Sequence, residues 1–452
     1  MTIVSRVEQQ LSVEPLLSAK KIVVAYSGGV DSHVLLHLLH GISLRSPGRF
    51  ELSAVHIHHG LNQQADNWQN HCGKVCAQLS VDFKSARIEL QKTPRQSLEA
   101  NARKARYEKI SELVPHNALV ILGQHQQDQL ETFLLQLKRG AGPTGLSAMA
   151  QSWTIPCAAK KSVAFCRPLL TASQQDILLY AQQHKLHWCE DDSNLNTDFD
   201  RNFLRHKVLP NMQQRWPQLA QTVARSAQLC AEQQTLLNEV CGEKLTAVRA
   251  SQNSLYLPGL LALSAQWMQQ VVRFWLRGLA IDCPSMAILA QLESQVLAAK
   301  SDANPILQWQ NWQFRRFAQQ LYVITIPEAV PTQSIAWSVT DPLILPAKLG
   351  WLECSQAPES NEMTMQFDPT LGPLQVRFGG FSLRFAPSGR PHSKPLKQWF
   401  KEWQLAPWLR SQVVILVQQE KVIGVLVEGQ WIVAQPITNN PACVITHRAF
   451  TA

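Results

Sequence analysis

In 452 residues no apolar run approaches the thickness of a bilayer, and the first twenty residues lack a signal peptide's apolar core. A cytoplasmic protein without membrane contact is the expectation. Ten cysteines are scattered along the chain with no Cys-x-x-Cys, and Cys72 and Cys76 form the one close pair. That spacing argues against a zinc ribbon or a thioredoxin-type centre, and reduced structural thiols are expected. No internal repeat or low-complexity tract interrupts the chain. Acids are outnumbered, 33 against 42 lysines and arginines, for a net charge of +9. A moderate positive excess favours polyanionic partners, nucleic acid first. The 14 tryptophans fill cores in this reading, with one or two available to stack on bases. The length suits two to four domains.

One motif organises the chain. Ile22 to Tyr26 is a short, continuous β-branched run, as a buried parallel strand requires. Ser27-Gly28-Gly29-Val30-Asp31-Ser32 follows, and then leucines recur at helical spacing from His33 to His40. A strand, a glycine turn and a helix start form an oxyanion cradle, because the helix directs its free N–H groups into the turn. The lysine of a Walker loop is missing. In its place stands Asp31, an acid that phosphates tolerate when Mg²⁺ lies between them. Ser27 and Ser32 offer neutral hydroxyl donors. The alternative is an ordinary Gly-Gly turn with Asp31 as an N-terminal helix acid.

Downstream, Phe50 to His58 alternates like a second strand and makes a βαβ unit, whose ligands lie at the carboxyl ends of strands. Asn70 to Leu79 reads as a helix, Val81 to Ile88 as a strand, and Gln96 to Leu113 as a long helix. On that helix Arg103 and Arg106 share a face, either in a surface ion-pair pattern or aimed at phosphates. Leu119 to Gly123 is a fourth strand. The helix after it opens with His125, Asp128 and Glu131 at three-residue spacing, placing carboxylates where Mg²⁺ or a substrate ammonium could sit, or simply capping the helix. Arg139 to Leu146 is a basic glycine-rich loop. Beyond Asp191 to Asn194 a helix carries Arg201 and Arg205 one turn apart, suited to a polyanion or to a solvated face. After Pro217 the composition turns helical from Leu219, then short β runs reach Pro331. Strands are expected at 374–378, 413–417, 421–427 and 431–433, with a basic helix from Ser393.

The hexapeptide resembles the loop of the PP-loop ATP pyrophosphatases, which adenylate an acceptor and release pyrophosphate. The resemblance narrows at His58-His59-Gly60-Leu61-Asn62 with Ala65, Asp66 and Trp68, at Glu99-Ala100-x-Ala102-Arg103-x-x-Arg106-Tyr107, and at Arg139-Gly140-x-Gly142-x-x-Gly145-Leu146. Arg167 to Leu170, Trp188, Glu190 to Asn194, Arg201 to Arg205 and Pro210 continue it. In this order and spacing the stretches are similar to the tRNA(Ile)-lysidine synthetase family. The C-terminal part resembles that family's tRNA-binding domain at Lys397, Trp408 and Arg410. One position departs: Gln127 stands where the family has the first aspartate of a pair.

The resemblance implies an α/β N-terminal domain with a parallel sheet, of the PP-loop, adenine nucleotide alpha hydrolase-like type, over residues 1–215. A mainly helical domain with a β extension (216–345) and a small α+β C-terminal domain (346–452) follow. It implies ligation of free lysine to C2 of the wobble cytidine in CAU-anticodon isoleucine tRNA, with ATP and Mg²⁺ consumed or bound, and a homodimer. Ser27, Gly28, Gly29, Val30, Asp31 and Ser32 would hold ATP. Asp31, Asp128 and Glu131 would be catalytic, with Asp31 and Asp128 on the metal. Arg103, Arg106, Arg139, Arg201, Arg205, Lys397 and Arg410 would contact tRNA. Two other outcomes stay open: another PP-loop tRNA-modifying enzyme, or a tRNA-binding homologue with an impaired site. A thiolase would call for paired cysteines near the loop, which the missing Cys-x-x-Cys disfavours.

Overall fold

The computed structural model of the protein describes residues 2–58, 60, 64–88, 98–157, 161–300, 303–355, 364–434 and 443–450. The expectations placed on His59, Leu61 and Asn62, and on the helix start at Gln96, lie outside the described residues. The chain forms two compact units, Met1–Leu237 and Asn238–Ala452.

The first unit runs α1 (Ile3–Gln10), β1 (Lys21–Ala25), α2 (Val30–Arg45), β2 (Glu51–His58), α3 (Ala65–Gln78), β3 (Asp82–Arg87), α4 (Leu98–Leu113) and β4 (Leu119–Ile121). It continues with α5 (Gln126–Lys138), α6 (Pro143–Leu146), β5 (Ser152–Cys157), β6 (Lys161–Cys166) and α7 (Gln174–Gln183). After a loop come α8 (Asp200–Phe203), a π turn (Leu204–Val208) and α9 (Leu209–Arg215). The sheet order is β3-β2-β1-β4-β6-β5, all parallel except β5. Helices cover both faces, which is why β1 is apolar on successive residues rather than alternate ones. Ile22 and Val24 join a core with the leucines of α2 and Ile177 of α7, whereas Val23 packs with Tyr107 and Ile110 of α4.

Strand order reverses between β1 and β4. The chain leaves β1 toward β2 on one side and returns through β4 on the other, so the crevice beyond their carboxyl ends is free for a ligand. Two loops open into it, Tyr26 to Gly29 after β1 and Leu122 to His125 after β4.

One feature carries no clear sequence signal, and another differs from expectation. The β5–β6 hairpin carries Pro156 on an edge strand that alternates between exposed and half-buried residues, a pattern too weak to read as sheet. The basic glycine-rich stretch is not one open loop: Pro143 starts the single turn α6, consistent with proline's preference for the first helical position.

A helix of 30 residues, Leu219–Val248, follows, as the periodicity from Leu219 indicated. In the second unit, strands Arg249–Ser251, Ser254–Tyr256, Ile306–Trp309, Trp312–Phe317 and Gln320–Thr325 form an antiparallel sheet. Trp275 and Phe314 lie fully buried in its core. A second five-stranded sheet joins Ile335–Trp337, Leu374–Phe378, Val414–Gln418, Lys421–Val427 and Gln430–Val433. A four-stranded sheet holds Leu343–Ile344, Trp351–Ser355, Thr364–Phe367 and Cys443–Arg448. Ile335–Trp337 pairs with Leu374–Phe378, so this sheet begins before residue 345, in a stretch whose prolines read as linker. Among the described residues no helix is long and apolar enough to cross a membrane.

Candidate active site

The loop after β1 is built by its own hydroxyls. The Ser27 N–H donates to Ser32 Oγ (3.2 Å), the two serine hydroxyls meet at 3.0 Å, and Ser32 Oγ donates to the Gly29 carbonyl (3.0 Å). Ser32 therefore braces the turn rather than presenting a free donor. Gly28 sits at φ +89°, a conformation that favours glycine, and a Cβ there would stand 3.1 Å from Cys72 Sγ, a tight contact. Its carbonyl accepts the Cys189 N–H (2.9 Å), which ties the chain after α7 to the loop. Gly29 is the N-cap of α2 and has no capping side chain. The first turn of α2 is thus left open to an anion.

Gly123 determines how closely the two loops approach. A Cβ on it would lie 2.9 Å from the Asp31 carbonyl carbon and 3.0 Å from both Asp31 O and Ser32 N, all of them backbone atoms. Sequence reasoning passed over this residue. The available signal was a glycine ending an apolar strand, which marks close backbone approach.

Across that contact lie the carboxylates. His125 caps α5: its Nδ1 accepts the Gln127 N–H (3.2 Å), while Asp128 Oδ2 accepts the His125 N–H (3.0 Å). His125 Nε2 then stands 3.5 Å from Asp31 Oδ1 and 3.6 Å from Asp128 Oδ2, between the two acids. Asp31 Oδ1 is buried without a hydrogen-bond partner. Burial raises the Asp31 carboxyl above its ordinary range, against the pull of His125.

Glu131 is fully buried, and the structure pairs it with Arg205. Arg205 Nε and Nη2 reach its two oxygens at 2.6 and 2.8 Å, and Nη2 stands 3.4 Å from Asp128 Oδ1. Arg201 adds Nε at 3.7 Å from Glu131 Oε2 and a hydrogen bond from Nη2 to Thr132 Oγ1 (3.0 Å). Burial raises the Glu131 carboxyl despite Arg205, and its acceptors raise the Arg205 guanidinium despite desolvation. Two residues expected on different ligands thus form one fork-to-carboxylate pair. The π turn Leu204–Val208 sits where Arg205 makes this reach.

Arg103 and Arg106 both approach the Tyr107 ring, 5.3 and 5.6 Å from its centroid. Arg106 Nε is buried without a partner, and desolvation lowers its pKa. Arg139 is exposed at the C-terminus of α5. Gln127, the departing residue, forms an amide pair with Gln213 of α9 (2.9 Å for Nε2 of Gln213 to Oε1 of Gln127). Lys397 and Arg410 belong to the second unit, where Lys397 is exposed and Arg410 Nε donates to the Leu405 carbonyl (3.0 Å). His58 lies buried against Asp66 (3.0 Å), and all ten cysteines are free thiols. Among the described residues no three His, Cys, Asp or Glu side chains converge as a cation cage.

Three family models match in sequence along the chain: a PP-loop domain over residues 2–212, a TilS substrate binding domain over 255–322 and a TilS substrate C-terminal domain over 374–446. A tRNA(Ile)-lysidine synthase of Serratia proteamaculans is 39% identical over 415 residues, covering 90% of this chain and 91% of that one. The protein of that name from Edwardsiella ictaluri is 38% identical over 425 residues (92% and 93%). That from Vibrio parahaemolyticus is 38% identical over 405 residues, 90% of each chain.

Proposed function

The chain belongs to the tRNA(Ile)-lysidine synthase family, and from that premise we propose how its residues share the reaction. It is an ATP-using ligase that forms a carbon–nitrogen bond on isoleucine tRNA. In the proposed chemistry the C2 oxygen of the wobble cytidine in the CAU anticodon attacks the α-phosphorus of ATP, and pyrophosphate leaves. The ε-amine of free lysine then bonds to C2, and AMP departs with the oxygen. A carbonyl oxygen is a poor leaving group and its adenylate a good one. These substrates meet in the cytoplasm.

The observation that carries this reading is the unpartnered oxygen of Asp31, buried beside an open helix start and facing His125 and Asp128. Mg²⁺ fits such a site, since it is held by one or two carboxylates plus substrate phosphates rather than by a full protein cage. Asp31 and Asp128 would hold it, and when bound it supplies positive charge to the departing pyrophosphate. The Ser27–Ser32 loop would cradle the phosphates through the backbone N–H groups that its own serines leave free and through the dipole of α2. Asp128 also faces the position available to the lysine ammonium. Glu131, closed off by Arg205, acts by fixing that guanidinium at the site. Arg103, Arg106, Arg139 and Arg201, with Lys397 and Arg410 of the second unit, are proposed as contacts for tRNA phosphates or the adenylated base.

The test is incorporation of radiolabelled lysine into an unmodified CAU-anticodon isoleucine tRNA transcript. Label that requires Mg²⁺-ATP is expected, with Gln127 tolerated. Tight tRNA binding without label would point to the impaired homologue, and pyrophosphate release on another substrate to a different PP-loop enzyme. Sedimentation of the free protein reads the proposed homodimer. Within this reading Gly123→Ala is expected to lower kcat/KM for ATP about tenfold, because overpacking costs about 1–3 kcal/mol and here falls on the phosphate loop. Steady-state kinetics at saturating tRNA and lysine measure it, and wild-type values would show that β4 yields instead.

A further inference from the structure

Helix α8, its π turn and α9 present two unlike edges. Arg201 and Arg205 turn inward to Glu131, Thr132 and Asp128, and Asn202 and Leu209 are buried. The opposite edge carries Phe199 and Phe203, each 49% exposed, followed by exposed His206, Lys207 and Arg215. Phe199 caps α8, Phe203 ends it and Lys207 lies in the π turn that follows, so two exposed rings and an exposed cation succeed one another along the segment. Two hydrogen bonds tie that segment to the preceding loop. Asn202 Nδ2 donates to the Asn196 carbonyl (2.8 Å), and His206 Nε2 stands 2.8 Å from the Asn194 carbonyl, folding the preceding loop against the helix. That loop adds Leu195, 69% exposed. Of the nearby acids, Asp200 is paired with Lys138 at 2.6 Å, and Asp198 is exposed at the start of the segment.

Two phenylalanines with half their surface in water forgo the stabilisation that burying large apolar side chains brings. Aromatic rings interleaved with cations form the kind of surface that binds unpaired bases, because every base has a π-face to stack and a phosphate to neutralise. The rings and Arg205 are carried by the same short helical segment, which puts the rings in reach of bases next to the reacting one.

We propose that Phe199 and Phe203 are a stacking platform for anticodon-loop bases flanking the wobble cytidine, with Lys207 on their backbone. This rests on the family reading above and adds positioning residues to it. The rings do not touch the reacting atoms. They hold the loop so that one base enters the site.

The experiment uses the full chain with the tRNA transcript and compares Phe199→Leu/Phe203→Leu with Phe199→Tyr/Phe203→Tyr. Leucine keeps the apolar surface and removes the π-face, and both residues are exposed, so folding is not at stake. The leucine pair is expected to raise KM for tRNA about tenfold or more, as loss of base stacking does. KM for ATP should stay at the wild-type value, and the tyrosine pair should restore tRNA KM. Equal tRNA KM for all three proteins would overturn the platform. So would a rise accompanied by loss of a dimer on sedimentation, which would make the segment a protein interface. If the wild-type protein incorporates no lysine, it is the family reading that fails.

Discussion

Asp31→Asn is expected to abolish adenylation, lowering pyrophosphate release by about 100-fold or more, as loss of a preorganised charge at a phosphoryl site does. The same substitution should leave the free protein as stable as wild type, or more so. Burial holds the Asp31 carboxyl above its ordinary 3.8, and Oδ1 has no hydrogen-bond donor. A raised folded pKa means that the native state binds the proton more tightly than the unfolded chain. The stability linked to this group is therefore fully present below 3.8 and is lost as pH rises through the folded pKa. At neutral pH the ionised carboxylate is a net cost, and asparagine removes it. Thermal melts should show an unchanged or higher Tm for the variant and a flatter dependence of Tm on pH. Adding Mg²⁺-ATP should raise Tm for wild type, because a ligand that binds only the native state stabilises it, and should do so much less for Asp31→Asn. Equal pyrophosphate release by both proteins would refute the metal role.

That prediction draws on a residue visible in the sequence, as its neighbours were. Strand, glycine turn and helix start were legible around Ser27 to Ser32 because each is a local signal: β-branched continuity, paired glycines and leucine periodicity. His125, Asp128 and Glu131 were legible as a set because three-residue spacing puts them on one face of α5. What they do to one another was not. Glu131 and Arg205 are 74 positions apart, and Arg205 lies in a π turn that no propensity announces. Gly123 could be read as a strand end, whereas its clash distance to Asp31 belongs to the tertiary approach of β4 and α2. The β5–β6 hairpin escaped because an edge strand half in water carries little hydrophobic pattern. Ile335–Trp337 escaped because its partner strand is nearly forty residues further along the chain.

Arg205→Ala is expected to destabilise the first unit by about 3–5 kcal/mol, since removing one partner of a buried ion pair leaves the other uncompensated. Sequence alone leaves Arg205 either on a polyanion or on a solvated face. The structure instead seats it on a carboxylate with no exposed surface, with Arg201 Nε at 3.7 Å as the remaining cation. The sign of the pH effect follows from Glu131. Burial already lifts its carboxyl above the ordinary 4.5, and Arg205 is the main opposing influence. In the variant the folded pKa climbs further, so the native state takes up a proton and its deficit against wild type shrinks as pH falls. Glu131→Gln placed in the Arg205→Ala background removes the stranded charge and should recover much of the lost stability at neutral pH. Urea titrations of the four proteins in this cycle give the coupling energy directly. Lysine incorporation should not recover with stability, because the double variant no longer places a guanidinium beside Asp128. A double variant that regains both would mean that the pair serves the fold alone. One that regains neither would mean that Arg201 already neutralises Glu131.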